Sequence, residues 1–151
     1  MLPYLLPFTL LLQAMLPIPP AQSPIPNALF GQAFTVQQFN YMVLYDSTRQ
    51  EDSKLVLSLG NVLDSRCPKE VLCIHAGQAD LDLSISAPNG QTTDLKISYA
   101  GMRHVNPDSV RAFKVSLDGK TYGIRVLDVA PYPTAEGPQL PKRARLVVAK
   151  Q

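Results

Sequence analysis

The run Ala79-Asp80-Leu81-Asp82-Leu83-Ser84-Ile85-Ser86-Ala87 constrains this chain more than any other segment. Apolar residues occupy every odd position and polar residues every even one. Strict alternation fits a half-buried strand and no helix, because successive side chains of an extended chain point to opposite faces. Pro88-Asn89-Gly90 then reads as a turn, and Gln91-Thr92-Thr93-Asp94-Leu95-Lys96-Ile97-Ser98-Tyr99 alternates again, with Leu95, Ile97 and Tyr99 apolar. A two-residue Asn89-Gly90 loop would set Ile85 against Asp94 and Leu83 against Lys96, bringing charge onto the core face. A three-residue loop sets Leu83 opposite Leu95, Leu81 opposite Ile97 and Ala79 opposite Tyr99, with Asp82 opposite Lys96 on the wet face. Register follows the buried face, so the three-residue loop is predicted, with Gly90 in the left-handed conformation such loops require.

A second hairpin follows. Arg111-Ala112-Phe113-Lys114-Val115-Ser116-Leu117 leads into Asp118-Gly119 and then Lys120-Thr121-Tyr122-Gly123-Ile124-Arg125-Val126. Asp-Gly is the preferred chemistry for a two-residue type I′ turn, whose central residues both need positive φ. That turn brings Val115 to Tyr122 and Phe113 to Ile124. After Val126 the apolar phase slips to Leu127 and Val129, which predicts a bulge.

Weaker strand signals lie at residues 35–45, 55–63 and 145–149. No segment combines a helical period with a cap. Fourteen prolines, no Trp and 17% charged residues are also unlike a helical bundle. The expected fold is all-β: an antiparallel sandwich or small barrel of six to seven short strands.

The N-terminal third is organised differently. No charged side chain occurs before Asp46, and Leu2 to Leu16 is almost wholly Leu, Pro, Phe and Met. The run matches the apolar region of a secretory signal and falls short of the roughly 20 apolar residues of a membrane span. The expected organisation is a signal peptide over 1–21, cleaved after Ala21 in preference to Ala14, a proline-rich linker over 22–33 and a β domain over 34–151. No Lys or Arg follows Met1, and Pro3, Pro7 and Pro17 interrupt the run, so an uncleaved amphiphilic anchor is the competing reading. The expected location is periplasmic or extracellular, with no stable membrane span after cleavage. A net charge of +2 is too weak a bias for a nucleic-acid partner.

Cys67 and Cys73 are the only cysteines, with five residues between them. In an exported chain an even count reads as a disulfide, here worth about 2 to 3 kcal/mol because the loop is short. Such a staple would hold Arg66, Lys69, Glu70 and His75 as a candidate binding loop. Two sharper readings compete. Cys67, Cys73 and His75, or His75 with Met102 and His104, offer soft ligands suited to Cu(I), although the cysteine spacing is unlike that of common zinc sites. A stapled loop with Arg66, Lys69 and Glu70 exposed could also fill a protease cleft, since preorganisation lowers the entropy cost of binding.

Other constellations read as ordinary structure. Asp80, Asp82 and Asp94 resemble paired catalytic carboxylates but fall on the solvated face of the first hairpin. No Ser lies in a Gly-flanked nucleophile elbow. Lys142, Arg143 and Arg145 read as charges that blunt a sheet edge, and Pro131-Tyr132-Pro133 as a rigid loop whose ring packs on the end of the fold. The chain is therefore expected to be a non-enzyme with no cofactor, a binding or accessory module for an unknown protein or surface ligand.

Asp64-Ser65-Arg66-Cys67-Pro68, with Val71, Cys73, Ala76 and Gly77 ahead of an alternating strand, resembles the signature of a group of small secreted or lipid-anchored bacterial domains of uncharacterised function. These carry Asp-Ser-Arg-Cys-Pro followed by Val-x-Cys-x-Trp-Ala-Gly. Leu127 and Pro131-Tyr132-Pro133 resemble their Leu-x-x-x-x-Pro-Tyr-Pro stretch. The resemblance runs from Phe34 to Val148 and implies an exported β domain with a disulfide, without implying an activity. His75 stands where the group has Trp. If that Trp packs the loop on the sheet, imidazole would make the packing weaker or sensitive to pH.

Overall fold

The computed structural model describes residues 25–100, 112–137 and 139–151. Among them lie nine strands, β1 (Asn27–Leu29), β2 (Ala33–Gln37), β3 (Tyr41–Tyr45), β4 (Leu55–Asp64), β5 (Gln78–Ser86), β6 (Thr92–Ala100), β7 (Phe113–Leu117), β8 (Lys120–Ala130) and β9 (Arg143–Lys150), with one short 3-10 turn at Glu51–Ser53. They form two sheets, ordered β1-β3-β4-β5-β6 and β2-β9-β8-β7. The sheets pack face to face, so the fold is a β-sandwich and not a closed barrel.

Both hairpin registers follow from turn chemistry and the buried face. In β5–β6, Leu83 pairs with Leu95, Leu81 with Ile97, Ala79 with Tyr99 and Asp82 with Lys96. The Ala87 N–H donates to the Gln91 carbonyl at 2.9 Å, which leaves Pro88, Asn89 and Gly90 as the three-residue loop, and Gly90 has φ 86°. In β7–β8, Val115 pairs with Tyr122 and Phe113 with Ile124, and Asp118 and Gly119 both take positive φ, 52° and 66°. The phase slip after Val126 is a register shift between Val126 and Asp128 opposite β9.

Four expectations about the strands and the linker need correction. Residues 35–45 are not one strand: β2 and β3 lie in different sheets, and the chain crosses between them at Gln38-Phe39-Asn40. The proline-rich linker does not run intact to residue 33, because β1 pairs parallel with β3 through Asn27–Val43, Ala28–Leu44 and Leu29–Tyr45. The first sheet is therefore mixed rather than antiparallel, and the strand count exceeds seven. A three-residue strand is too short for any periodicity to show.

The core lies between the sheets. Leu55, Leu57 and Leu59 of β4 and Ala79, Leu81, Leu83 and Ile85 of β5 face Ile124 and Val126 of β8 and Ala144, Leu146 and Val148 of β9, all buried. Burying each large aliphatic side chain contributes about 1.5–3 kcal/mol, and this buried stripe fixes which face of each strand turns inward.

Candidate functional site

β4 ends at Asp64 and β5 begins at Gln78. The segment between them leaves one end of the sandwich and returns, and the disulfide Cys67–Cys73 closes its middle, with a Cα–Cα separation of 5.9 Å. The Ser65 N–H donates to the Gln78 carbonyl and the Cys67 N–H to the Ala76 carbonyl, each at 2.8 Å. The base of the loop thus extends the β4–β5 pairing. Gly77 closes it with φ 70°, and a Cβ there would sit 2.0 Å from the Ser65 carbonyl oxygen. The position accepts only glycine, which is the physical content of the last residue of the motif.

A buried charge cluster anchors the loop. The Arg66 guanidinium grips Asp64 with two bonds, Nε to Oδ1 and Nη2 to Oδ2, both 2.7 Å. Its Nη2 also donates to the Val129 carbonyl at 2.8 Å. The Lys142 Nζ lies 2.8 Å from Asp64 Oδ2 and donates to the Pro131 carbonyl at 2.7 Å. The side chains of Arg66, Lys142 and Asp64 are 1%, 2% and 5% exposed. Burial pushes the Asp64 carboxyl up, but hydrogen bonds and charge from Arg66 and Lys142 outweigh it and hold the group below the usual carboxylate range. Tyr132 lies over the guanidinium, 4.5 Å from Arg66 Cζ to the ring centroid, and Lys69 Nζ is 5.3 Å from the same ring. The Tyr99 hydroxyl donates to the Leu127 carbonyl at 3.1 Å.

The candidate loop residues therefore separate. Arg66 is not exposed; it is buried inside a structural clasp joining β4, the end of β8 and the start of β9, and cannot enter a protease cleft. Lys142 is likewise buried, and does not blunt an edge with Arg143 and Arg145, which are exposed. The Asp64-x-Arg66 spacing is the one sequence signal for this clasp, because residues two apart share a face of an extended chain. Glu70 accepts from the Ala135 N–H at 3.2 Å and ties the loop to the β8–β9 connection. His75 is exposed rather than packed on the sheet, so it does not take the packing role imagined for the Trp of the resembling group.

The outward tip of the loop is instead Val71, Leu72 and Ile74. Leu72 and Ile74 are 103% and 96% exposed, and Val71 is 40% exposed. Sequence reasoning passed over these three because it weighed only the polar side chains of the loop, Arg66, Lys69, Glu70 and His75, as contact residues. The disulfide was the available signal, because the loop it closes leaves its aliphatic residues no strand to pack in.

A soft-metal site finds little here. Both sulfurs are consumed in the disulfide, and no group of three His, Cys, Asp or Glu residues converges among the described residues. Met102 and His104 lie outside the described residues. Asp80 accepts from Ser98 Oγ at 2.5 Å and from Gln78 Nε2 at 2.9 Å, while Asp82 pairs with Lys96 at 3.5 Å, as solvated strand faces do. Among the described residues no helix is long and apolar enough to cross a membrane. No protein-family profile, curated protein or solved structure matches the chain.

Proposed function

We propose that this chain is an exported, non-enzymatic binding module that docks a partner protein through the tip of its stapled loop, and that it belongs with the small secreted or lipid-anchored domains its cysteine motif resembles. One observation carries the reading: Leu72 and Ile74 stand almost wholly in solvent on a loop that a disulfide closes and a buried ion cluster anchors. Exposed aliphatic side chains forgo about 1.5–3 kcal/mol each that burial would supply. A pair held out in one fixed conformation enters an apolar cleft without the ordering cost a flexible loop carries. A disulfide in a small β domain, behind an apolar leader free of charged side chains, supports export to the periplasm or beyond.

The test places a photo-crosslinking side chain at position 72 and, separately, at position 114 on β7, in the exporting cell. A discrete adduct from 72 alone, lost when Ile74→Asp is added, is the expected result. Equal labelling from both positions overturns the docking role. N-terminal sequencing of the mature chain should begin at Gln22, and an intact Met1 would overturn cleavage.

A further inference from the structure

The outward face of the first sheet holds a groove of about 680 Å³ that shares no lining residue with the stapled loop. That volume is within the range of small-molecule sites. A row of paired residues crosses it strand by strand: Tyr41 opposite Ser58, Ser58 opposite Ser84, and Ser84 opposite Asp94. Three strand spacings make the row about 14 Å long, so an extended ligand fits better than a single ring. Beside it the β4 bulge sets Gly60 against Asp82, where a Cβ would come within 3.3 Å of the Asp82 carbonyl. At Gly60 the floor carries no side chain, and one there would press on the Asp82 backbone.

Two aromatic residues at one end of the groove are solvent-exposed, Phe39 at 73% and Tyr41 at 45%. Phe39 is the third residue of the turn from Gln37 to Asn40, which the Asn40 N–H closes on the Gln37 carbonyl at 3.0 Å. Its φ is 65°, in the region where turns ordinarily carry Gly or Asn and where a bulky residue is an outlier. Neighbours impose this backbone. The Gln38 N–H donates to the Lys142 carbonyl at 2.8 Å, Gln38 Oε1 accepts from the Lys142 N–H at 3.3 Å, and the Phe39 N–H donates to the Leu59 carbonyl at 2.7 Å. The phenyl ring is outside the core cluster. A strained position thus carries a large apolar ring that the fold does not bury, a combination typical of binding sites.

We propose that this groove binds a neutral linear oligosaccharide, with Phe39 and Tyr41 as stacking platforms and Ser58, Ser84, Asp94 and Asp82 as hydroxyl partners. A sugar ring offers an apolar C–H face to an aromatic ring and equatorial hydroxyls to carboxylates, which matches the groove's apolar end and polar floor. Asp82 and Asp94 against Lys96 leave the lining at −1 (two acidic residues minus one basic), which disfavours nucleic acid and anionic headgroups. The floor strands β4 and β5 are paired on both sides, so a peptide lying over them finds no edge on which to add as a strand; of the strands in the row only β6, at its far end, ends the sheet among the described residues.

Amide chemical-shift titration of the purified chain with cello-, chito-, malto- and mannohexaose at millimolar concentration tests this. Saturable shifts at Phe39, Tyr41, Ser58, Ser84 and Lys96 with at least one hexamer are expected, unchanged by Leu72→Asp and weakened about tenfold by Tyr41→Ala. Phe39→Asn suits the left-handed backbone, so it should keep or raise Tm while weakening the sugar to a similar degree. No saturable shift with any hexamer, shifts confined to other surfaces, or equal affinity in Phe39→Asn would overturn the proposal. So would binding of a Gly-Lys repeat hexapeptide with none of the sugars, since that would make the groove a site for cationic peptide.

Discussion

The sandwich is closed at its two ends by two acid–base clasps of opposite character. At the loop end, Asp64, Arg66 and Lys142 form a buried cluster with both basic groups also bonded to backbone carbonyls. At the other end, Asp46 just beyond β3 meets Lys150 of β9 at 3.3 Å, with both side chains about a third exposed. There the carboxyl is held low first by the Thr48 hydroxyl and then by Ser53, with Lys150 a lesser influence. The Asp46–Thr48 and Asp64–Arg66 bonds each span two residues. The Asp64–Lys142 contact exists only in the fold. The Asp46–Lys150 contact is likewise distant in sequence, so the two carboxylates differ in their contribution to stability through burial rather than through chain separation or the shift itself.

The largest effect is expected from breaking the buried clasp. Asp64→Ala strands two buried cations and should cost about 3–5 kcal/mol by chemical denaturation. Replacing all three residues together with apolar ones (Asp64→Leu, Arg66→Met, Lys142→Met) should recover much of that loss, because paired burial of charge is itself costly. Failure of the triple variant to exceed Asp64→Ala would show that the cluster does more than clasp.

Removing the staple comes next. Cys67→Ser with Cys73→Ser should cost about 2 to 3 kcal/mol while leaving the core strands protected from amide exchange, since among their backbone–backbone bonds only that of Gln78, the first residue of β5, reaches the loop. Loss of protection throughout β4 and β5 would contradict that separation.

The acid limb sharpens the contrast. The Asp64 carboxyl is lowered in the folded state, so its contribution is complete above the unfolded value of about 3.9 and is lost as pH falls through the folded one. Thermal melts should be flat from neutrality to about pH 5 and fall below pH 4. Asp64→Asn should flatten that limb more than Asp46→Asn does. The smallest effect belongs to the exposed clasp: Lys150→Met should leave the denaturation midpoint nearer to wild type than the Asp64 and cysteine variants do.

The candidate sites were unevenly legible in the sequence. Cys67 and Cys73 announced a staple and with it a candidate binding loop, but not the aliphatic tip of that loop. Arg66 and Lys142 were misplaced because a charged residue is buried only when its partners are, and Val129 is distant from Arg66, as Asp64 is from Lys142, along the chain. Phe39 was hidden inside a stretch that reads as a single strand, since nothing local says that the chain leaves one sheet for the other at Gln38.

By itself the sequence determined the β class, both hairpin registers, the Asp118-Gly119 and Pro88-Asn89-Gly90 turns, the bulge after Val126 and the disulfide. Each is a short-range consequence of side-chain alternation, turn stereochemistry or cysteine spacing. The tertiary structure alone decided that the sheets divide between β2 and β3, that β1 joins the first sheet in parallel, and that Asp64, Arg66 and Lys142 meet in the dark. It alone decided which aliphatic and aromatic side chains were left outside. Those outcomes depend on contacts between distant segments, where burial and charge pairing are settled only once both sheets are in place.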